Sequence, residues 1–235
     1  MQLGPYLHRI GNDIVAAYLV VLPEGITVID AGLPGHWRDL LAELRAMGRS
    51  LADVKGVILT HGDSDHLGFA ERLRRDHGVP VYVHPADAGR AKGGPKPKNA
   101  RQAMRLGPLL GFAFYSLRKQ GLRTRWLGDV LPAHPGETLD LPGAPQIIAL
   151  PGHSPGRIAV AVPVADALFV GDGLTTRDVL TGATGPRPAP FTDDPDQAAE
   201  SLRALVGEAR ATWVLPGHGA PWRGGVDAAV AGATT

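Results

Sequence analysis

Short apolar runs, broken by glycine and proline, set the rhythm of the chain. Residues 14–22 and 26–30 flank Pro23-Glu24-Gly25 and predict a β-hairpin. Residues 37–47 switch to helical spacing, with Leu40, Leu41, Leu44 and Met47 on one side. A strand over 57–59, a helix over 67–77 and a strand over 79–83 follow. The second half repeats the rhythm: strands over 147–150, 158–162 and 167–170, a helix over 195–209, and a last strand over 213–215. Strands and helices are mixed and hairpins are present. The pattern therefore predicts an α/β or α+β sandwich over a simple doubly wound sheet.

The length of 235 residues suits a single domain, 1–235. A hydrophobic content of 44% provides for a sizeable core. A formal net charge of +1 argues against a protein built to hold nucleic acid. The N-terminal stretch lacks the pattern of a signal peptide. Its apolar run over 14–22 is too short to span a bilayer. The expectation is a soluble, cytoplasmic protein.

The middle of the chain departs from this balance. Residues 88–128 contain no Asp or Glu but ten basic residues, Arg90, Lys92, Lys96, Lys98, Arg101, Arg105, Arg118, Lys119, Arg123 and Arg125. The span opens on a Gly/Pro/Lys-rich loop and carries an apolar helical patch around 104–117. It reads as a helical insertion on the core fold. As a lid, it would line a pocket with Leu109, Leu110, Phe112, Phe114 and Tyr115, and its arginines would suit an anionic, partly apolar small molecule. A solvated helical face is the plain alternative. Contact with a membrane surface or a partner subunit, as in a homodimer, is a third.

There is no cysteine, so any transition-metal site must use histidine and carboxylate. The stretch "LTHGDSDHLG" supplies His61, Asp63, Asp65 and His66 just after an apolar run. Three further stretches have the same form. "IIALPGHSPG" ends at His153, "ALFVGDGL" at Asp172 and "TWVLPGHGAPW" at His218. Ligands commonly bind beyond the carboxyl ends of strands, so these residues can meet at one rim. Ser64 and Ser154 read as small turn residues. His8, His36, His77, His84 and His134 read as structural or surface residues, with His84 at a strand end near the expected rim.

The order "THGDSDH", "PGHSPG", "FVGDGL", "LPGHG", preceded by "TVIDAGLPG", resembles the metallo-β-lactamase superfamily over about residues 14–84 and 136–222. The resemblance implies a four-layer αββα sandwich with a dinuclear metal site at one edge. His61, Asp63 and His153 would hold the first metal; Asp65, His66 and His218 the second. Asp172 would bridge both, and Asp30 would brace the loops. The superfamily's usual motif is His-x-His-x-Asp-His, whereas this chain has Asp63 at the third position. The flavodiiron branch is similar in placing a carboxylate there, although its residue is glutamate. Two divalent ions are implied, zinc foremost. The harder Asp63 ligand also admits iron or manganese.

The implied activity is a metallo-hydrolase that attacks an ester-type bond, in a thioester, lactone or phosphoester, with a metal-bridged hydroxide. Asp65 and Asp172 are the candidate catalytic residues, Asp65 orienting the hydroxide and Asp172 positioning both ions. "PGHSPG" is similar to the stretch in glyoxalase-II-like thioesterases and in lactonases. The short segment after His218 leaves no place for the glutathione-holding helical domain of glyoxalase II. The alternatives are a di-iron or other redox or structural metal-binding module, or a β-lactam-hydrolysing enzyme.

Overall fold

A computed structural model describes residues 1–97 and 103–234. Lys98 and Arg101 of the basic span lie outside the described residues. The chain opens with β1 (Gln2–Gly4), β2 (Leu7–Gly11), β3 (Ala16–Leu22) and β4 (Gly25–Ile29), each antiparallel to its neighbour. Pro23 and Glu24 make the connection between β3 and β4, as the pattern predicts. After α1 (Trp37–Ala46), β5 (Val54–Ile58) adds parallel to β4. Then come α2 (Ser64–Leu67), α3 (Ala70–His77) and β6 (Val81–Val83), followed by α4 (Pro85–Ala91), α5 (Leu106–Arg118) and β7 (Leu131–Pro132). These strands form one seven-stranded sheet in chain order.

The second half supplies β8 (Gln146–Ala149), β9 (Ile158–Val162), β10 (Ala167–Gly171), a small ribbon of β11 (Thr175–Arg177) and β12 (Thr184–Arg187), α6 (Pro195–Ala204), β13 (Trp213–Pro216) and α7 (Val226–Thr234). Its sheet has four strands in the order β13-β10-β9-β8.

Period-two alternation along the strands explains the layering. On β3, Ala17 and Leu19 face one core, which contains Leu40 and Leu44 of α1 and Leu73 of α3. Tyr18 and Val20 face the other way, towards Ile158, Val160, Phe169 and Leu215 of the four-stranded sheet. That sheet turns Ala159, Leu168, Val170 and Val214 outwards onto Leu202 of α6 and onto Ala229 and Val230 of α7. The three cores separate helix, sheet, sheet and helix, which is an αββα sandwich.

Several elements go beyond the pattern reading: β1, β2, the β11–β12 ribbon, α4 and α7. The expected helix over 67–77 is split. Gly68 donates to the Gly32 carbonyl at 2.7 Å, and the Ala31 amide donates to His66 at 2.7 Å. A Cβ at Gly68 would lie 2.2 Å from the Leu33 backbone. The loop after β4 docks directly onto the helix backbone there and breaks it. The basic span is also shorter at both ends as a projection from the fold. Ala91 and Leu127 belong to the core between the large sheet and its helices.

Candidate metal centre

The cluster is built from strand ends. Asp30 follows β4, the 61–66 loop follows β5, His153 follows β8, Asp172 follows β10 and His218 follows β13. All seven expected ligand residues come together at this rim. His61, Asp63 and His153 form one convergent group, and Asp65, His66 and His218 a second. Asp172 groups with His61 and His66, one residue from each set. In each group the ligand atoms lie within 4.8 Å of one another.

Asp172 faces both sides. Its Oδ1 lies 3.4 Å from His66 Nε2, while its Oδ2 lies 3.2 Å from His218 Nε2 and 3.8 Å from His153 Nε2. Asp65 Oδ2 is 3.4 Å from His218 Nε2. Asp63 Oδ2 is 3.8 Å from His61 Nε2 and 3.7 Å from His153 Nε2. Gly217 permits this convergence, because a Cβ there would sit 2.4 Å from the His66 ring and 2.6 Å from Asp172 Oδ1.

The histidines are oriented from behind. His66 Nδ1 donates to Asp30 Oδ2 at 2.9 Å. His218 Nδ1 donates to the Ile14 carbonyl. Thr60 Oγ1 gives its single proton to Asp30, so it can accept from His61 Nδ1 at 3.1 Å. His153 Nδ1 faces Thr192 Oγ1 at 3.3 Å. Each arrangement leaves Nε2 turned inward. Metal-binding histidines are held in this way through their other ring nitrogen. The inward atoms His61 Nε2, His66 Nε2, His153 Nε2 and Asp172 Oδ1 are buried and make no hydrogen bond among the described residues. Buried polar atoms are normally paired, so this cluster of orphans fits cations placed among them.

The electrostatics agree with that need. Burial pushes the Asp172 carboxyl up, but His218 and His66 outweigh it and hold it well below the usual range. Burial alone would lower His218, yet Asp172 and Asp65 raise it to about 10. Burial lowers His61, assisted by the neighbouring His66. Excess negative charge on one side of the cluster thus draws protons onto imidazoles, where it would otherwise draw a metal.

Four residues that the sequence reading missed complete the frame. Asp87, buried at the start of α4, accepts from the Gly62 and Gly156 amides and from Ser154 Oγ at 2.9, 2.8 and 2.6 Å. It ties the 61–66 loop to the 152–157 loop and gives Ser154 a structural role. Thr60 relays Asp30 to His61. Arg157 is buried behind the cluster, with Nη1 3.3 Å from His61 Nδ1. Burial lowers its pKa to about 10, against the pull of Asp172, Asp30, Asp87 and Asp63. Arg90 donates to both oxygens of Asp63, from Nε to Oδ1 and from Nη2 to Oδ2 at 3.0 Å. Its Nη1 also donates to Asp193 at 2.7 Å, and Lys96 Nζ lies 2.6 Å from Asp63 Oδ1.

The other histidines lie away from the cluster. His8 pairs with Glu43, His77 stacks on Trp37, and His84 accepts from the Ala86 amide. His36 is buried, accepting from the Leu33 amide at 2.9 Å and donating to Tyr115 Oη at 2.7 Å.

A cleft of about 540 Å³ opens over the cluster. Its floor holds Asp63, Asp65, His153, Asp172 and His218. Its walls include Leu33, Arg90, Lys96, Phe112, Leu122 and Val179. Residues of the 88–128 span thus line part of this cleft. Of the five apolar residues expected to line it, only Phe112 does so. Leu110 and Phe114 point to the outside of α5, and Tyr115 is engaged with His36.

The model of the metallo-beta-lactamase superfamily matches residues 10–218. The probable metallo-hydrolase YflN of Bacillus subtilis is 29% identical over 246 residues, covering 93% of this chain and 85% of that protein. A hydroxyacylglutathione hydrolase of Alkalilimnicola ehrlichii is 31% identical over 186 residues, covering 79% of this chain but 54% of that protein. Among solved structures, TTHA1623 in a di-iron-bound form aligns with a TM-score of 0.63 and 28% identity, over 99% of this chain and 97% of that one. TTHA1429 of Thermus thermophilus, at 22% identity and a TM-score of 0.68, shares the fold. With the motifs, the sandwich and the converging ligand groups in agreement, the chain belongs to the metallo-β-lactamase superfamily, among its metallo-hydrolases.

Proposed function

We propose that this metallo-hydrolase cleaves an ester-type bond, in a thioester, lactone or phosphoester, of a small cytoplasmic substrate with an anionic group and an apolar part. The observation that carries the reading is the cleft, where the ligand-rich floor meets cationic walls at Arg90 and Lys96 and apolar walls at Leu33, Phe112, Leu122 and Val179. Divalent ions bound at the floor would supply a water of lowered pKa and a Lewis acid for the attacked centre. His61, Asp63 and His153 would hold one ion, Asp65, His66 and His218 the other, and Asp172 would serve both. Asp65 reaches the cleft and can accept the proton of an attacking water. Asp30, Thr60 and Asp87 hold the ligands in place.

The two positions are unequal in this account. The His66 and His218 rings are backed by strong acceptors, whereas Asp63 is already neutralised by Arg90 and Lys96. The second position therefore fills first. Zinc suits its two imidazoles, while the carboxylate at the first position favours iron or manganese. The di-iron-bound form of TTHA1623 supports iron as an occupant.

The test is a hydrolysis panel on metal-loaded protein: an acyl thioester, a neutral lactone, a phosphoester and a β-lactam. The account predicts turnover of the anionic thioester or phosphoester, lost on chelation and restored by metal. Inactivity on all three ester classes with both positions filled would contradict it. Preferential β-lactam turnover would favour that alternative.

A further inference from the structure

The outer face of α5 is apolar and uncovered. Leu106, Leu110, Phe114 and Leu117 are 73%, 58%, 67% and 63% exposed. Their spacing of four, four and three residues puts them on one side of the helix. Past the helix end, Leu122 is 89% exposed and Trp126 44%. A contiguous run of this kind marks an interaction surface on a protein in water.

The inner face of the same helix is fixed to the fold. Phe112 and Ser116 line the metal cleft, Tyr115 bonds to His36, and the Lys119 carbonyl accepts from the Gly35 amide at 2.8 Å. The outer stripe is thus presented by an anchored helix. Around it, Arg105, Arg118, Arg123 and Arg125 are exposed, and the surrounding span holds no acidic residue.

We infer that this face docks on an anionic lipid bilayer surface. Leucine, phenylalanine and tryptophan on one side with a border of arginines are what an interfacial helix needs. The arginines meet anionic headgroups while the apolar side chains enter the acyl boundary. A self-paired second copy fits less well, because a two-fold contact sets the patch against itself. Cations would then face cations, with no carboxylate in the span to separate them. Among the described residues no helix is long and apolar enough to cross a membrane.

Leu122, exposed four residues past the end of α5, also lines the cleft wall. Docking would therefore bring the cleft mouth to the lipid boundary, where an amphipathic substrate is concentrated. The docking itself does not depend on which bond the metal centre cleaves.

Co-sedimentation of the full chain with vesicles decides the matter. One set is phosphatidylcholine alone, and the other contains about one-third phosphatidylglycerol. Binding should be at least about tenfold tighter to the anionic vesicles and should weaken as salt rises. The double variant L110S/F114S should lose at least about tenfold in that binding, with circular dichroism and metal content unchanged. The triple variant R118Q/R123Q/R125Q should lose binding to anionic vesicles while the fold is kept. Failure to sediment with anionic vesicles would overturn the inference, as would binding that ignores both variants. A dimer seen by light scattering and split by L110S/F114S would assign the face to a second copy instead.

Discussion

The two candidate ligand sets share one rim, one aspartate that faces both and one fold, yet the chain holds them differently. In the set of Asp65, His66 and His218, both imidazoles are anchored to strong acceptors, the Asp30 carboxylate and the Ile14 carbonyl. In the set of His61, Asp63 and His153, both imidazoles lean on threonine hydroxyls at 3.1 and 3.3 Å. The carboxylate of that set is gripped by an arginine and a lysine. Burial acts to raise the Asp63 carboxyl, but His153, His61, Arg90 and Lys96 hold it far below the usual range. The comparison teaches that substituting one ligand in a shared motif changes the charge balance around it. Asp63 brings a negative charge where the usual motif has a neutral ring, and the chain answers with two cations.

The largest effect should come from breaking what the sets share. Asp172→Ala removes the one carboxylate that faces both among the described residues. Steady-state hydrolysis should fall on the order of 1000-fold, since several kcal/mol of charge stabilisation depend on that arrangement. Asp63→Ala should cost about tenfold, because it serves one position that is already weak. Equal, mild losses from both changes would mean that a single set does the chemistry without a bridge.

Disturbing the two sets unequally should come next. Asp30→Asn withdraws the charged acceptor from His66 directly and from His61 only through Thr60, so metal affinity should fall most at the second set, by about 10–100-fold. Thr192→Val should weaken the first set only, by less than about tenfold, because it removes one long, neutral hydrogen bond. Competition with a chromogenic chelator measures both.

Arg90→Gln sharpens the contrast in the opposite direction. It frees Asp63 from a bidentate grip, so affinity at the first position should rise about tenfold while the second is unchanged. Without added metal the same variant should be less stable, because Asp63 and Asp193 are then left short of a partner. Thermal melts with and without metal separate these outcomes.

The smallest effect concerns acid stability. Burial, with help from Lys119, lowers His36 to about 4. A histidine with a folded pKa below its unfolded value of about 6.5 loses stability as pH falls from 6.5 towards 4, because the unfolded chain binds the extra proton. His36 joins the Leu33 loop to Tyr115 on α5, so acid should loosen that helix first. A loss on the order of 1–3 kcal/mol is expected across that window, absent in His36→Gln, as read from denaturant melts at stepped pH.

The expected ligand residues were legible in the sequence because they cluster just after apolar runs, most of them beside a glycine. Local spacing alone carries that signal. The supporting residues were not legible, because their partners are far along the chain. Asp87 meets Ser154 from 67 positions away, and Arg90 meets Asp63 from 27. Nothing in "HPADAGRA" announces either contact. The first two strands were hidden for another reason. β2 carries His8 and Arg9, both buried through specific partners, Glu43 for His8 and Asp13 with the Gly219 carbonyl for Arg9. A polarity pattern reads such positions as exposed. The outward turn of Leu110 and Phe114 was equally out of reach, since the apolar pattern does not say which face of α5 meets the cleft.

The most direct test of the account is a stepwise metal titration of chelator-stripped protein, followed by anomalous diffraction at each step. The account predicts one ion first, among Asp65, His66, His218 and Asp172. A second should follow among His61, Asp63 and His153, bound at least about tenfold more weakly in the presence of Arg90 and equalised by Arg90→Gln. Simultaneous filling of both positions, or first occupation of the His61 set, would contradict it.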